Sequence, residues 1–234
     1  MIKKIGILLI VFQITGCAEL QNIAETALDQ DVLTSTDIAS GLKEALEIGI
    51  SKGSDALSAT DGYFKSQYKI LLPEEARKIT DKLKNIPGFS QVEEVILEKI
   101  NRGAEDAAKK AKPIFIDAIK SMTFSDATGI LMGTDDAATQ YLNRTTHTKL
   151  YDEFNPVIVS SLNKFNAIEY WANAVNTYNK IPFVEKINPS LDKYVTDKAL
   201  DGLFSMVEKE EKKIRTDISS RTSDLLRKVF AKQD

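Results

Sequence analysis

The stretch Ser90–Met122, SQVEEVILEKINRGAEDAAKKAKPIFIDAIKSM, decides the fold class. Apolar or small residues recur at Val92, Ile96, Ile100, Gly103, Ala107, Ala111, Ile114, Ala118 and Met122, in steps of three and four, the signature of one helix face. Ser90-Gln91-Val92-Glu93 has the form of a capping box at the head of this pattern. Pro113 falls inside it, and a proline ring there collides with the carbonyl of Lys109. The reading is two helices meeting at a kink.

Working outward, the same period recurs on both sides. Upstream, Ser35-Thr36-Asp37 is an N-cap cluster followed by Ile38, Leu42, Leu46, Gly49, Gly53 and Leu57 at helical spacing. Glycine weakens a helix by up to about 1 kcal/mol relative to alanine, so Gly49 and Gly53 on one face imply close approach of another backbone. Asp61-Gly62 ends this helix, and Tyr63–Leu72 admits either a short strand or an extended connector. Pro73-Glu74-Glu75 opens a short helix with Ile79, Leu83 and Ile86, stopped by Pro87-Gly88.

Downstream, Thr123 and Asp126 form a second capping pair for a short helix ended by Gly133. Thr134, Asp135 and Asp136 start another, carrying Ala138, Tyr141, Leu142, Thr145 and Leu150 towards Pro156. After Pro156, the stripe Val159, Leu162, Phe165, Ile168 and Trp171 marks one more, and Ile181-Pro182-Phe183 leads into a connector. Asn188-Pro189-Ser190 opens Leu191–Phe204, and Val207, Ile214, Ile218, Leu225 and Val229 extend a long C-terminal amphipathic stretch. Capped helices joined by short turns predict an all-α fold, a multi-helix bundle of antiparallel helices in a single domain over 35–234.

The N-terminus reads differently. Met1–Lys4 is basic, Ile5–Phe12 is apolar, and small residues lead to Cys17, the form of a secretory signal over 1–16. The apolar run falls short of the roughly 20 residues that cross a bilayer. Ile14-Thr15-Gly16-Cys17 resembles the lipobox of bacterial lipoproteins, in which the cysteine is diacylated and becomes the new N-terminus. An ordinary signal cut elsewhere would leave this single cysteine as an incidental thiol. Residues 17–34 then form a polar tether, and Ala18 after the cysteine implies the outer membrane in the Gram-negative sorting rule.

Several blocks further resemble the bacterial family collected as domain of unknown function 4197. They include Gly41-Leu42-Lys43-Glu44-Ala45-Leu46, Asn101-Arg102-Gly103-Ala104-Glu105, Met122-Thr123-Phe124-Ser125-Asp126-Ala127, Thr196-Asp197-Lys198-Ala199-Leu200-Asp201-Gly202 and Glu210-Glu211 with Ile214-Arg215. The resemblance spans roughly Ser35–Phe230 and implies a secreted or lipid-anchored helical protein of the Gram-negative envelope, with no activity to carry over.

The chemistry available is limited. The net charge of -3 becomes -5 once Lys3 and Lys4 leave with the signal, 29 basic residues against 34 acidic, which argues against nucleic acid as a partner. His147 is the only histidine and has no nucleophile elbow to serve, so no catalytic residue is nominated. One cysteine and one histidine do not make a zinc site, and Asp126, Asp135 and Asp136 read as helix-start acids rather than calcium ligands, so neither metal nor cofactor is expected. The remaining polar residues, Asn101, Arg102, Glu105, Asp126, Thr139, Asn143 and Arg144, are candidates for a buried network or a pocket. Asn101 and Glu105 share one helix face, as do Thr139 and Asn143.

The expectation is a periplasm-facing protein held at the outer membrane by acyl chains on Cys17, acting by binding or scaffolding on an envelope protein or apolar ligand. A lipid carrier, requiring an internal apolar cavity of about 300 Å³ or more, is the alternative. An enzyme would need an open cleft holding Glu105 or Asp126.

Overall fold

The computed structural model describes residues 33–83, 91–164, 167–180, 182–183, 185–187 and 190–231. The signal, Cys17 and nearly all of the tether lie outside them, as do Ser90, Pro87-Gly88, Phe165 and Asn188-Pro189. The described residues form nine α-helices and no strand: α1 Ser35–Ser58, α2 Glu74–Leu83, α3 Val92–Ala108, α4 Ala111–Ser121, α5 Phe124–Leu131, α6 Ala137–Asn163, α7 Ala167–Tyr178, α8 Leu191–Thr216 and α9 Asp224–Phe230. The all-α bundle is therefore observed, and Tyr63–Leu72 is a connector of turns and extended backbone.

Helix α1 packs against α8, α5, α4, α9 and α3, while α6 packs against α3, α8, α4, α5 and α7. Gly49 lies against Glu210 and Gly53 against Met206, so α1 and α8 run antiparallel. A Cβ on Gly53 would sit 3.0 Å from Met206 Cγ and one on Gly49 3.3 Å from Glu210 Cβ, so side-chain stems of α8 approach the paired glycines, not the backbone that their spacing implies. Likewise Glu211 touches Ala138 and Thr139 at the start of α6 while Thr196 meets Asn155 near its end, which sets α6 antiparallel to α8. Between them lie Leu42, Ile50 and Leu57 of α1, Ile100 of α3, Leu142, Phe154 and Ile158 of α6, and Leu203 of α8, all buried. Each such side chain contributes roughly 1.5–3 kcal/mol on leaving water. Phe115 meets Phe204 edge-on at 5.7 Å across the centre.

The helix boundaries differ from the periodic reading in three places. The break caused by Pro113 lies upstream, at Lys109 and Lys110, and the proline occupies the first turn of α4, where its missing N–H leaves no helical bond unmade. Pro156, expected to end a helix, sits inside α6. Pro156 and Asp152, whose carbonyl its ring would displace, are exposed, while Phe154, Ile158 and Leu162 are buried on either side. The long C-terminal stretch is also interrupted. Asp217 turns extended, and its carboxylate accepts from Ser219 N–H, an Asx turn that outcompetes the helix and leaves Ile218 60% exposed instead of on the apolar stripe.

Helix α6 explains why its stripe was hard to read. Seven of its nine buried residues, Ala138, Leu142, Thr146, Leu150, Phe154, Ile158 and Leu162, are spaced by four, with Thr139 and Ser161 beside the two ends of the line. Four-residue steps drift about 40° each, roughly 240° over the helix, so the buried line winds around it. Thr145, placed on the stripe by period, is exposed and Thr146 is buried.

Candidate functional site

Of the seven polar candidates, Asn101, Arg102 and Glu105 converge on the connector after α1. Asp61 adopts φ 68°, and a Cβ on Gly62 would lie 2.4 Å from the Ala56 carbonyl, so this turn requires glycine. Asn101 then treats Ile70 as a neighbouring strand would: Oδ1 accepts its N–H at 2.8 Å and Nδ2 donates to its carbonyl at 2.9 Å. Glu105 Oε1 accepts the N–H groups of Tyr63 and Phe64, and Oε2 accepts from Arg102 at 2.8 Å. Arg102 also donates to Asp61 at 2.8 Å. The hydrogen bonds it donates to Glu105 and Asp61 hold the Arg102 guanidinium well above its ordinary pKa, and those that Asp61 accepts from Arg102 and Lys65 hold it below the usual carboxylate range. Burial pushes the Tyr63 phenol up, and that phenol donates to the Ala199 carbonyl at 2.7 Å, seating the connector on α8.

Thr139 belongs to a second assembly, which the candidate set missed. Glu211 Oε1 accepts Ala138 N–H, and Oε2 accepts both the N–H and hydroxyl of Thr139 at 2.8 Å, so a side chain from α8 caps the start of α6. Arg215 pairs with Glu211 at 2.9 Å and donates to the carbonyls of Ile130 and Leu131, closing the end of α5. Arg221 donates to the Ile214 and Arg215 carbonyls at the end of α8. All three charged side chains are buried. Glu211 and Arg215 have helical i, i+4 spacing, but that spacing also occurs in exposed pairs, and only burial distinguishes them.

The remaining candidates lie on the surface. Asn143 and Arg144 are exposed, so Asn143 does not share the buried face of Thr139. Asp126 caps α5 with Thr123, whose hydroxyl and N–H hold its carboxyl below the ordinary range. The polar candidates thus occupy three places, and the first two hold helix ends and a connector. His147 is exposed with its ring stacked parallel to Phe204. Among the described residues, no group of three His, Cys, Asp or Glu side chains is placed to hold a metal, and no helix is long and apolar enough to cross a membrane.

The open space lies elsewhere, along the outer face of α8. A depression of about 500 Å³ is lined by Trp171 and Tyr178 of α7, Lys78 of α2 and Lys193, Tyr194 and Asp197 of α8. It shares Tyr194 with a second of about 410 Å³, walled by the connector at Tyr68 and Ile70. Tyr68 and Ser205 carry over into a third of about 390 Å³, and Lys209 joins that to a fourth of about 400 Å³ beside Gly49 and Lys52 of α1. The residues Tyr194, Lys198, Asp201, Ser205, Glu208 and Lys212 make one line at helical spacing through this groove. No sequence periodicity could have flagged it, because its walls come from four separate elements.

A family model described as "Protein of unknown function (DUF4197)" matches residues 32–231. No curated protein and no solved structure matches the chain.

Proposed function

From the premise that this chain belongs to the DUF4197 family, we propose that it is a lipid-anchored protein of the bacterial envelope, facing the periplasm from the outer membrane, whose helical domain works by binding. The observation that carries the binding reading is the groove along α8. It is open and lined by aromatic, basic and acidic side chains, whereas Glu105, Arg102, Glu211 and Arg215 are engaged inside the fold. A catalytic reading wanted Glu105 or Asp126 in an open cleft. Glu105 is 4% exposed with both oxygens occupied, and Asp126 is a solvent-facing cap, so binding fits better than catalysis.

The anchor reading rests on Ile14-Thr15-Gly16-Cys17 behind its basic and apolar regions. Two or more acyl chains hold a protein stably at a membrane, where one does so only marginally. The Cys17→Ser variant should leave the membrane fraction and lack the mass of an acylated N-terminus; unchanged fractionation and mass refute the anchor. Crosslinkers placed on α8 at Ser205 in intact cells should capture an envelope component, and a face that captures nothing there argues against the groove.

A carrier of apolar molecules has one observation in its favour, the Trp171 end of the groove, which is large enough at about 500 Å³. It is open and lined by three lysines rather than being an enclosed apolar cavity. Lipid co-purifying in stoichiometric amount would favour that reading.

A further inference from the structure

The four depressions adjoin one another along α8 through shared lining residues, and their chemistry narrows the ligand. From Leu191 to Ile214 the path follows α8 for about 35 Å at 1.5 Å per residue, far longer than a small-molecule site. It suits a linear polymer. The lining also inverts the charge of the protein. Nine lysines face five carboxylates along it, a local net of +4, on a chain whose net charge is -3. A groove of sign opposite to the rest of the surface concentrates and orients an anionic ligand.

The carboxylates restrict which polyanion fits. Asp197, Asp201 and Glu208 alternate with the lysines along the path, and Lys193 and Lys198 already pair with Asp197 and Asp201 at 2.8 and 2.9 Å. A uniformly acidic peptide or a phosphate backbone presents these acids mainly with like charge, its donors being confined to the main chain or the bases. A chain bearing both anionic groups and hydroxyl donors satisfies lysines and carboxylates together. The tyrosines agree. Tyr194 donates its hydroxyl to the Leu71 carbonyl at 2.8 Å and Tyr68 directs its own to Met206 sulfur, so both phenolic ends are held by the protein while the rings line the groove. Such rings suit the C–H faces of sugars.

Resting on the binding reading above, we infer that the α8 groove is a binding site for an extended carboxylated glycan, held by lysines at its anionic groups, by Asp and Glu at its hydroxyls, and by Tyr68 and Tyr194 at its ring faces. The occupant is a polysaccharide strand rather than a protein segment.

The single tryptophan of the chain, Trp171, is almost wholly buried at one end of the path, so its emission should respond to packing changes there. The full chain is titrated with a polyuronate oligosaccharide, a neutral dextran of equal length and poly-L-glutamate. The polyuronate should bind saturably and shift the Trp171 emission, with affinity falling as salt rises. Dextran and poly-L-glutamate should each bind at least about tenfold more weakly. Lys209 and Lys212 are exposed and lie roughly 24 Å along α8 from Tyr194. The K209E/K212E variant should therefore lose at least about tenfold in polyuronate affinity with an unchanged melting temperature, while K109E/K149E, outside the groove, should lose nothing.

Equal binding of dextran overturns the role of charge, and equal binding of poly-L-glutamate overturns the sugar. Indifference of polyuronate binding to K209E/K212E overturns the site, and no polyuronate binding overturns the glycan as its ligand. Should polyuronate fail while Ser205 crosslinks still capture a protein, only the ligand class falls. Should those crosslinks capture nothing as well, the binding reading falls with it.

Discussion

Glu211 and Arg215 show what one buried ion pair does when each partner also closes a helix end. The pair lies at 2.9 Å with both side chains almost wholly buried, and between them they satisfy the first N–H groups of α6 and the last carbonyls of α5. Removing one partner of such a pair costs about 3–5 kcal/mol, because the survivor is left charged and buried. Glu211→Ala should lower the unfolding free energy in urea by about that amount. Replacing both partners by methionine often restores stability elsewhere, since it removes both charges. Here the double variant should stay well below wild type, because the Ala138 and Thr139 amides lose their acceptor too, whereas the Ile130 carbonyl still accepts from Gly133 N–H. Full recovery in the double variant would show that the pair matters only as charges. Asp61 gives a pH-dependent counterpart. Its folded pKa is lowered from 3.8 by the Arg102 and Lys65 bonds, so its stabilising contribution is present above the unfolded value and is lost as pH falls through the folded one. Asp61→Asn keeps a residue tolerant of φ 68°, and its stability deficit in urea should be constant from pH 7 to 5 and shrink below about pH 4. A deficit that persists undiminished at pH 2 would assign the loss to shape rather than charge.

At the scale of the element, Pro156 is the residue where local preference and tertiary packing disagree. It costs α6 one backbone hydrogen bond, on a solvent-facing side, while α6 is held against α3, α8 and α4 by residues before and after it. Pro156→Ala should therefore raise the melting temperature, restoring a bond and improving helix propensity without touching the core. A lower melting temperature would mean that the bend itself is needed for packing. The same position shows how far the sequence could be read. Helix starts were legible where a side chain caps locally, as at Thr123 with Asp126, because that chemistry lies within four residues. Helix ends were less legible: α6 runs through its proline because Phe154 and Ile158 are buried in the core, and α8 stops at an Asx turn between Asp217 and Ser219 that is local but masked by an apolar stripe continuing past it. The site followed the same rule. Asn101 and Glu105 were legible as a shared face, yet their partners, Tyr63 and Ile70, lie in the one segment without periodicity. The groove was invisible because α2, α7, the connector and α1 each contribute only a few residues to it.

For the whole molecule, the decisive question is how the ends of the chain's helical region are joined. Helix α1 begins the bundle and α9 ends it, and they meet where Val229 fills the space above Gly41, its Cγ2 lying 2.6 Å from where a Cβ on that glycine would be. Leu226, Val229 and Phe230 are all buried there, and Arg221 ties the segment back to the end of α8. A seven-residue helix has no independent stability in water. It is ordered by the bundle, and the bundle in turn loses its cover over Gly41 of α1 without it. Burying three such side chains is worth roughly 5–9 kcal/mol, a large share of the 5–15 kcal/mol typical of a domain. A chain ending at Asp217 should therefore melt at least about 10 °C lower than the intact protein and bind an apolar dye. The loss should appear together in circular dichroism and in Trp171 fluorescence, although Trp171 lies in α7, remote in sequence from the truncation, because α1, α6 and α8 join all these helices into one core. If the fluorescence transition kept its midpoint while helicity fell, α7 and the groove beside it would be stable apart from α1 and α9, and a ligand bound in that groove would stabilise only its own end of the molecule.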